Sequence, residues 1–490
     1  MFRRSYHIVF CLIILLQANL SFAQSSPADM NNWFRNFKQT ATPAELYRFL
    51  HAMPKGGDLH HHLTGAAFSE WWWELATDTK RNGGYEYFTR TRLTLCDGFD
   101  ANAFSPASPY LLFKTIQAST FASLSECEKK GYTPLAALTA SQKEAFLDSL
   151  RLDKEGEGRD EFFQTHWQRL NDLTRNPVLI SELLLLNMEA YARENVQYLE
   201  TQAGVHGMLK PDGTGCSAEE ALAIMQAALS SERAVKTGVT VKFQYALLRF
   251  LPDAEDTLKS LYAFVDAHRD IYRGINLVGR EDNDKGYPLR FLSTFRSLRQ
   301  QYPAIPLSIH AGEVDEPNRH VRDTLLLGAD RIGHGLNTIT DPDTLLLMSH
   351  GPYLIEINLI SNLLLEYVSQ YSEHPFAEYL RTGIPVALST DDRGMWDSTL
   401  TDEFYVAVSQ FNLSWQELRV LVNNSVQFSF LTDKEKTPLL SRLNQHLDAF
   451  EKKVISQQAL PGYAAPRQFI CKFEPQICTS PQGEDSVSKP

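Results

Sequence analysis

The feature that most constrains the fold is a regular alternation of short apolar runs with helical segments along most of the 490-residue chain. Eight runs have the length and composition of buried strands, and segments between them, such as 178–194, carry apolar residues at helical spacing. The strand candidates are a run after the Pro- and Gly-containing turn at 54–57, and residues 196–202, 240–247, 274–278, 306–309, 331–332, 354–357 and 384–389. Eight strands that alternate with helices predict a closed (β/α)8 barrel of the TIM type.

The alternative to a barrel is an open, doubly wound parallel sheet. Such sheets usually bind phosphate through a Gly-rich turn, and the sequence has no G-x-x-x-x-G-K-[ST] motif. In TIM barrels the chemistry lies at the carboxyl ends of the strands. Polar motifs follow the apolar runs here, so the barrel is favoured.

The remaining segments give the domain organisation. Arg3 and Arg4, an apolar run at 8–16 and small residues ending at Ala23 predict a signal peptide over 1–23. A helical extension is expected over 24–53, the barrel domain over 54–458, and a tail rich in Pro, Ser and charged residues over 459–490. Residues from about 83 to 133 do not fit the strand–helix alternation and indicate an insertion after the first strand. The signal peptide predicts a secreted or periplasmic protein.

The net charge excludes some partners. Without Arg3 and Arg4 the chain has 45 basic and 59 acidic residues, a net charge of −14. Such a surface disfavours nucleic acids and, after signal removal, anionic membranes. A free nucleoside carries no charge and is unaffected, whereas a nucleotide would need a local basic pocket. The sequence leaves the oligomeric state open, and a homodimer is one of the partnerships it allows.

Cysteine use is compatible with export. Five cysteines remain after the signal peptide, and none of them lies in a C-x-x-C motif. Cys471 and Cys478 are close enough in sequence to form a small loop, and Cys96 and Cys127 could connect the two ends of the insertion. Cys216 is then left over. Free thiols at all five positions are the alternative, because pairings do not follow from sequence alone.

The polar motifs contain the groups that metal-assisted hydrolysis requires. His60 and His62 are two apart on a strand, so both imidazoles project to one side while His61 points away. His310 follows the fifth strand, with Glu313 three residues later, and a carboxyl group in a dry pocket can stay protonated as a general acid. Each motif alone also suits a surface or turn residue.

Two further motifs follow later strands. His334 stands between Gly333 and Gly335, where glycines would let the backbone approach a substrate closely and the histidine could orient or deprotonate a water molecule. Asp391 and Asp392 follow the eighth strand, where one carboxylate could complete a metal shell and the other could bind substrate. The alternatives are a simple turn and a helix-capping aspartate pair.

Together these motifs resemble the adenosine deaminase family of metal-dependent amidohydrolases, from about Pro43 to about Phe450. The resemblance rests on the segment 53–62 with its three histidines, on 310–313, 331–335 and 389–392, and on Ser361-Asn362 followed by His374-Pro375. The segment 277–282, the signal peptide and the Cys-bracketed insertion resemble the secreted branch, the adenosine deaminase-related growth factors.

The resemblance implies a zinc-dependent hydrolytic deaminase that converts adenosine, and deoxyadenosine, to inosine and ammonia. It implies one Zn²⁺ per chain. The implied roles are metal binding by His60, His62, His310 and Asp391, protonation of purine N1 by Glu313, orientation and deprotonation of the attacking water by His334 and Asp391, and contacts to N7 and N3 by Asp392 and the Gly279 amide.

Two departures from the family keep other functions open. Intracellular members usually carry an aspartate where this chain has Thr64, and secreted members tend to carry an acid where it has Leu63. The substrate could therefore be adenine or a modified 6-aminopurine instead of adenosine. A second alternative is a non-catalytic extracellular binding protein of the same fold. A two-metal amidohydrolase is disfavoured, because the fourth strand ends in Val278-Gly279-Arg280 without a bridging lysine.

Overall fold

We analysed a computed structural model that describes residues 27–96, 111–314 and 316–479. The predicted signal peptide at 1–23 lies outside the described residues, as do residues 97–110 of the predicted insertion and the end of the tail. No helix in the described ranges is both long enough and apolar enough to cross a membrane.

Eight parallel strands form the central sheet, which confirms the predicted (β/α)8 architecture. Its strand order is β1, β5, β6, β7, β8, β9, β10 and β11. These strands are β1 Gly56–Asp58, β5 Val196–Gln202, β6 Thr240–Leu248, β7 Tyr272–Val278, β8 Leu307–Ala311, β9 Arg331–His334, β10 Leu354–Ile357 and β11 Val386–Leu388. Apart from exposed ends on β6, their side chains are mostly buried, as expected for parallel strands covered on both faces.

The barrel is joined between its first and last strands by residues just beyond the strand ends. The backbone N–H of His62 donates to the Asp391 carbonyl at 3.2 Å, and the N–H of Asp391 donates to the His60 carbonyl at 2.9 Å. The hydroxyl of Thr390 also donates to the carboxylate of Asp58. The predicted site residues thus form part of the seam that closes the sheet.

Helices lie between the barrel strands in sequence, and further helices precede the first strand and follow the last. Several begin at capping boxes, such as that of Thr42 and Glu45, which satisfy the first free N–H groups. The α-helices are α1 Pro27–Thr40, α2 Pro43–Ala52, α3 Ser69–Thr77, α4 Ala118–Ser123, α5 Glu126–Lys129, α6 Ala140–Ser149, α7 Gly158–Glu161, α8 Trp167–Leu170, α9 Pro177–Arg193, α10 Ala218–Leu229, α11 Glu232–Thr237, α12 Ala254–Ala267, α13 Leu292–Gln301, α14 His320–Leu327, α15 Pro342–His350, α16 Leu359–Leu364, α17 Phe376–Arg381, α18 Arg393–Trp396, α19 Leu400–Phe411, α20 Trp415–Gln427, α21 Asp433–Ile455, α22 Gln468–Phe473 and α23 Pro475–Thr479.

The segment between β1 and α6 contains a second, small sheet. It is antiparallel, with the order β3, β2, β4, and consists of β2 Tyr87–Arg90, β3 Thr115–Gln117 and β4 Tyr132–Pro134. The disulfide between Cys96 and Cys127 lies in this segment, and the second disulfide joins Cys471 to Cys478. Both proposed pairings are confirmed, and Cys216 is a buried free thiol.

Several element ends differ from the sequence prediction. The first strand ends at Asp58, before the histidines, and β11 ends three residues before Asp391. Conversely, β8 and β9 extend through His310 and His334, which the sequence placed at or after the strand ends. The reason is that the register pairs His310 with Gly333 and Ala311 with His334, so the ladder continues through these polar residues.

Candidate active site

The carboxyl-terminal end of the barrel brings together the residues predicted for the site. Ring centroids of His60 and His310 are 4.4 Å apart, and those of His62 and His310 are 5.3 Å apart. Asp391 Oδ1 lies 3.1 Å from His62 Nε2 and 3.3 Å from His60 Nε2. His61 points to the other side, where its Nδ1 is 2.7 Å from the Thr201 hydroxyl.

Two imidazoles of this cluster are held by partners that fix which nitrogen carries the proton. Nδ1 of His60 lies 2.7 Å from the Glu356 carboxylate, and Nδ1 of His310 lies 2.9 Å from Oδ1 of Asn276. A carboxylate only accepts hydrogen bonds, so His60 carries its proton on Nδ1. Oδ1 of Asn276 likewise accepts the hydrogen bond donated by His310 Nδ1. Nε2 of each ring is therefore the nitrogen that a metal ion would bind.

The donor atoms form two overlapping groups around Asp391. Atoms of His60, His310, His334 and Asp391 lie within 4.8 Å of one another, and so do atoms of His62, Asp391 and Asp392. The ligand set implied by the resemblance combines members of both groups, with Asp391 common to them.

This arrangement fits a metal ion. Nε2 of His60 is fully buried and makes no hydrogen bond within the described residues, with Asp391 Oδ1 at 3.3 Å, while Nδ1 is held by Glu356. Burial opposes a charge on this ring, but Asp391 and Glu356 raise the pKa of His60 to about 10, so the two carboxylates favour a positive charge at Nε2, which a metal ion would supply. Imidazole nitrogens and one carboxylate are the donors that Zn²⁺ prefers, with each ring oriented by a second partner.

Glu313 lies in a buried position where its carboxyl group favours the protonated form. Burial, reinforced by the carboxylates of Asp391 and Glu281, raises the pKa of Glu313 to about 8. Its Oε2 is 3.8 Å from His334 Nε2, and its Oε1 accepts a hydrogen bond from the Tyr367 hydroxyl. The backbone N–H of Glu313 donates to Glu281, which fixes the loop after β8. A protonated Glu313 at neutral pH is a group that could donate a proton.

A directional chain of hydrogen bonds determines the tautomer of His334. The backbone N–H of Phe376 donates to Nδ1 of His374, so His374 carries its proton on Nε2 and donates it to Oδ1 of Asn362. The amide nitrogen of Asn362 then donates to Nδ1 of His334 at 2.9 Å. Burial lowers the pKa of His334 to about 3, so the ring is neutral. Its one proton is therefore on Nε2, towards Glu313.

The two aspartates after β11 differ in state. Burial opposes ionisation of Asp391, but the adjacent imidazoles of His60 and His62 hold its pKa well below the usual range. The Ser361 hydroxyl also donates to Asp391 at 2.7 Å. Burial and the Asp391 charge raise the pKa of Asp392 well above its usual range. Oδ1 of Asp392 is buried and has no hydrogen-bond partner in the described residues, so it is available to a ligand.

Glycines shape this site in ways that differ from the sequence interpretation. A Cβ atom on Gly65 would lie 1.6 Å from Oδ1 of Asp392, so only glycine leaves room for that carboxyl group. Gly333 and Gly335 were interpreted as giving a substrate access to the backbone. Instead, a Cβ on Gly333 would approach the His60 ring to 2.8 Å, and Gly335 has φ of +62° and faces Ile355. Their small size serves the packing of protein groups.

These residues open into one cavity of about 680 Å³, a volume within the range of about 300–1,000 Å³ that ligand pockets occupy. Glu313, Asp391 and Asp392 line it, together with His62, His310 and Gly279. Thr64 and Leu63 line it as well. Of the aromatic residues in its wall, Trp167 lies edge-on to His62 at 6.3 Å.

Sequence reasoning missed Glu356, Asn276 and Gly65, since none of them belongs to a recognisable motif. Glu356 and Asn276 are polar residues inside apolar strands, and that exception is the only signal the sequence offers for them. Trp71, Trp72 and Trp73 belong to or pack against the hydrophobic core and are not among the residues that line the cavity.

Comparison with known proteins gives the family. The family model named Adenosine deaminase matches residues 129–446, which is more than half of the chain. The chain belongs to the adenosine deaminase family. The match begins after His60 and His62, so the structure, not the match, connects those histidines with the later motifs.

Curated relatives match the chain over different spans. An adenosine deaminase from Aedes albopictus is 31% identical over 277 residues, covering 54% of this chain and 50% of the relative. One from Lutzomyia longipalpis is 27% identical over 458 residues, covering 87% of this chain and 84% of the relative. The chain spans about half the length of the first of these relatives.

Two solved structures share the fold. A zinc-bound amidohydrolase from Burkholderia ambifaria superposes with a TM-score of 0.61 at 19% identity, covering 85% of this chain and 96% of that one. The adenine deaminase from Arthrobacter aurescens superposes with a TM-score of 0.58 at 19% identity, covering 80% and 98%. At this identity the likeness concerns the fold alone.

Proposed function

We propose that the chain is a secreted, zinc-dependent deaminase that hydrolyses adenosine, and deoxyadenosine, to inosine and ammonia. The observation that carries this proposal is Glu313, a buried carboxyl group with a pKa of about 8 that faces the same cavity as the His and Asp cluster. Hydrolysis of an aminopurine needs a proton on the ring nitrogen and a water molecule on the adjacent carbon. Glu313 supplies the proton, and the cluster supplies the place for the water.

Each side chain of the cavity has a distinct part in this reaction. Glu313 donates its proton to N1, which makes C6 electrophilic. His334, with its proton on Nε2, donates a hydrogen bond that orients the attacking water. Asp391 accepts one proton of that water and gives it to the amino group, which leaves C6 as ammonia, while the second proton of the water returns to Glu313 as the C6 carbonyl forms. Asp392 contacts N7, and the Gly279 amide contacts N3. A bound zinc ion would lower the pKa of the attacking water to about 7.

The tautomer of His334 separates two roles that the sequence interpretation combined. Because Nδ1 accepts from Asn362, Nε2 has no free lone pair with which to take a proton. Deprotonation of the water is therefore assigned to Asp391 alone, and His334 acts by orientation.

We also propose export and membership of the secreted, growth factor-like branch. The charged and apolar pattern of 1–23 supports a signal peptide. Two disulfides support an oxidising compartment, since disulfides are rare in the cytosol. The expected partner is a small purine nucleoside, with neither nucleic acid nor a membrane surface involved.

The test is the ultraviolet spectrum of adenosine, deoxyadenosine and adenine incubated with the purified chain, with and without a chelator. We expect a chelator-sensitive shift to the hypoxanthine chromophore, fastest with a nucleoside. Glu313→Gln should keep its metal, measured by elemental analysis, and lose most turnover. Glu316→Gln, the same change at an exposed position three residues away, should keep full activity.

Other outcomes would refute parts of the proposal. Near-normal turnover by Glu313→Gln would exclude Glu313 as the proton donor. A preference for adenine would identify the alternative function as an adenine deaminase, for which the Thr64 position already gives a reason. Bound zinc without conversion of any aminopurine would favour the non-catalytic binding protein.

A further inference from the structure

The small sheet of the insertion places one lysine in the wall of the substrate cavity. Lys114 directly precedes β3, lines the cavity and is only 9% exposed. The hydrogen bonds at this residue, from the Arg90 N–H and the Thr89 hydroxyl, both end on its backbone carbonyl. Within residues 27–96, 111–314 and 316–479, its ammonium group has neither a hydrogen bond nor an ion pair.

The cavity wall covers the stem of Lys114, while its nitrogen is not among the fully buried polar atoms and so reaches the water of the cavity. An anionic ligand there would meet a cation that has no ion-pair partner in the described residues. The nearest charges do not provide one: burial and the Arg90 charge both lower the pKa of Lys114, and only Asp172 opposes them.

Asp172 is already engaged by other groups. Its Oδ2 accepts the backbone N–H of Gln117 at 3.1 Å, and its Oδ1 lies 3.6 Å from Arg175. Arg175 also lines the cavity and is oriented by a hydrogen bond from its Nε to the Gly207 carbonyl. One carboxylate therefore serves two cations in the cavity wall, and the local charge is positive on a chain whose net charge is −12.

The cationic groups and the reacting groups come from different parts of the fold. Glu313, Asp391 and Asp392 follow barrel strands, whereas Lys114 belongs to the insertion and Arg175 ends the 3₁₀-helix Asn171–Arg175. Both sets line the same cavity. A ligand that fills it would present its purine to the barrel and a second, anionic part to the insertion.

We propose that this site takes 6-aminopurine nucleosides that carry a phosphoryl group on the sugar, with Lys114 and Arg175 binding that group. The inference rests on the proposed deaminase function and names its substrate class. Lysine and arginine are the side chains that bind phosphate most strongly, because each of their hydrogen bonds to it is charge-assisted. Adenosine is then a weaker substrate than its 5′-monophosphate.

The test compares the binding of inosine and inosine 5′-monophosphate by calorimetry, since neither product is converted. The full-length chain should bind the monophosphate at least about tenfold more tightly than inosine. Lys114→Met keeps the length of the side chain and should weaken the monophosphate about tenfold or more, the factor expected for one charge-assisted hydrogen bond, and leave inosine unchanged. Lys130→Met, at an exposed lysine of the same insertion, should change neither affinity.

Three further measurements separate the loss of binding from any effect on folding and test whether the site binds the phosphate group itself. The melting temperature of ligand-free Lys114→Met should stay close to that of the parent, because the ammonium group makes no hydrogen bond or ion pair in the described residues that the change would remove. Arg175→Gln, at a residue whose side chain is 45% exposed, should repeat the loss of monophosphate affinity without disturbing the fold. Inorganic phosphate alone should compete with inosine 5′-monophosphate for the protein.

Equal binding of inosine and its monophosphate by the parent chain would overturn the proposal, as would a loss of both ligands in Lys114→Met. Phosphate that binds without displacing the monophosphate would also overturn it, since the anion site would then lie outside the nucleotide site. Failure of the deaminase function is seen separately, as no ultraviolet change with either adenosine or its monophosphate. Lys114-dependent binding of the monophosphate would remain measurable in that case.

Discussion

Replacement of Glu356 by glutamine should weaken metal binding by changing the tautomer of His60. In the native site Oε2 of Glu356 accepts from His60 Nδ1, while Oε1 accepts from Arg331 Nε at 2.6 Å. A guanidinium group can only donate, so the single oxygen of glutamine should stay with Arg331 and the amide nitrogen should face His60. Nδ1 of His60 then has to accept, and its proton moves to Nε2, the atom needed by the metal.

The size of the effect follows from these contacts. Loss of a partner that orients a metal ligand typically costs about 10- to 100-fold in metal affinity, or roughly 1.4–2.7 kcal/mol. The same change removes one of the two carboxylates that pair with the buried Arg331. Breaking a buried ion pair costs about 3–5 kcal/mol, so the free energy of unfolding of the metal-free protein should fall by an amount of that order.

Glu200→Gln is the matched control. Glu200 is the other buried carboxylate on Arg331, at 2.6 Å from Nη2, and among the described residues it makes no hydrogen bond or ion pair with a histidine of the site. Its link to His310 is indirect and runs through Gln244 and Asn276. Both variants should therefore lose stability in urea unfolding, but only Glu356→Gln should lose zinc in competition with a chromophoric chelator. Native zinc affinity in Glu356→Gln, or an equal loss in Glu200→Gln, would refute the tautomer argument.

Three other predictions concern turnover. Gly65→Ala should displace Asp392 and lower kcat/KM by about 100-fold or more, an effect of roughly 2.7 kcal/mol, with full metal content by elemental analysis; an active alanine variant would show that Asp392 does not need this position. Turnover should fall as the pH rises through about 8, because Glu313 then loses the proton it donates, and a flat kcat/KM profile up to pH 10 would contradict this. Asn362→Asp should reverse the hydrogen bond to Nδ1 of His334, move the proton off Nε2 and lower kcat with little change in KM, whereas unchanged kcat would remove the tautomer of His334 from the mechanism.

The sequence was sufficient for the barrel because buried parallel strands are apolar on both faces and are separated by helices. For β5 and β10 the predicted bounds agree with the structure. The predicted ends of β8 and β9 were wrong because His310 and His334 continue the pairing between these two strands. Whether a polar residue pairs in this way depends on the neighbouring strand, which the local sequence does not reveal. The first strand was expected to reach the histidines and instead ends at Asp58.

Motifs identified the residues that meet in the cavity, since each follows an apolar run and strand ends meet at one side of a barrel. Residues that act through another residue were not predictable. Glu356 depends on a partner almost 300 positions earlier in sequence, and its hydrogen bond to His60 spans 296 residues. Lys114 lies in a segment without periodicity, and its place in the cavity wall depends on how the insertion folds back on the barrel.

The seam between the first and last barrel strands has a consequence for how the active protein matures. The hydrogen bond from Thr390 to Asp58 joins residues 332 positions apart, and the backbone bonds beside it involve His60, His62 and Asp391. Contacts of such long sequence separation form late, because loop closure has to precede them. A metal ion bound to residues on both sides of the seam would stabilise the closed barrel at the last step of folding. Supply of metal during biogenesis would then govern the yield of closed barrels as well as the rate of each one.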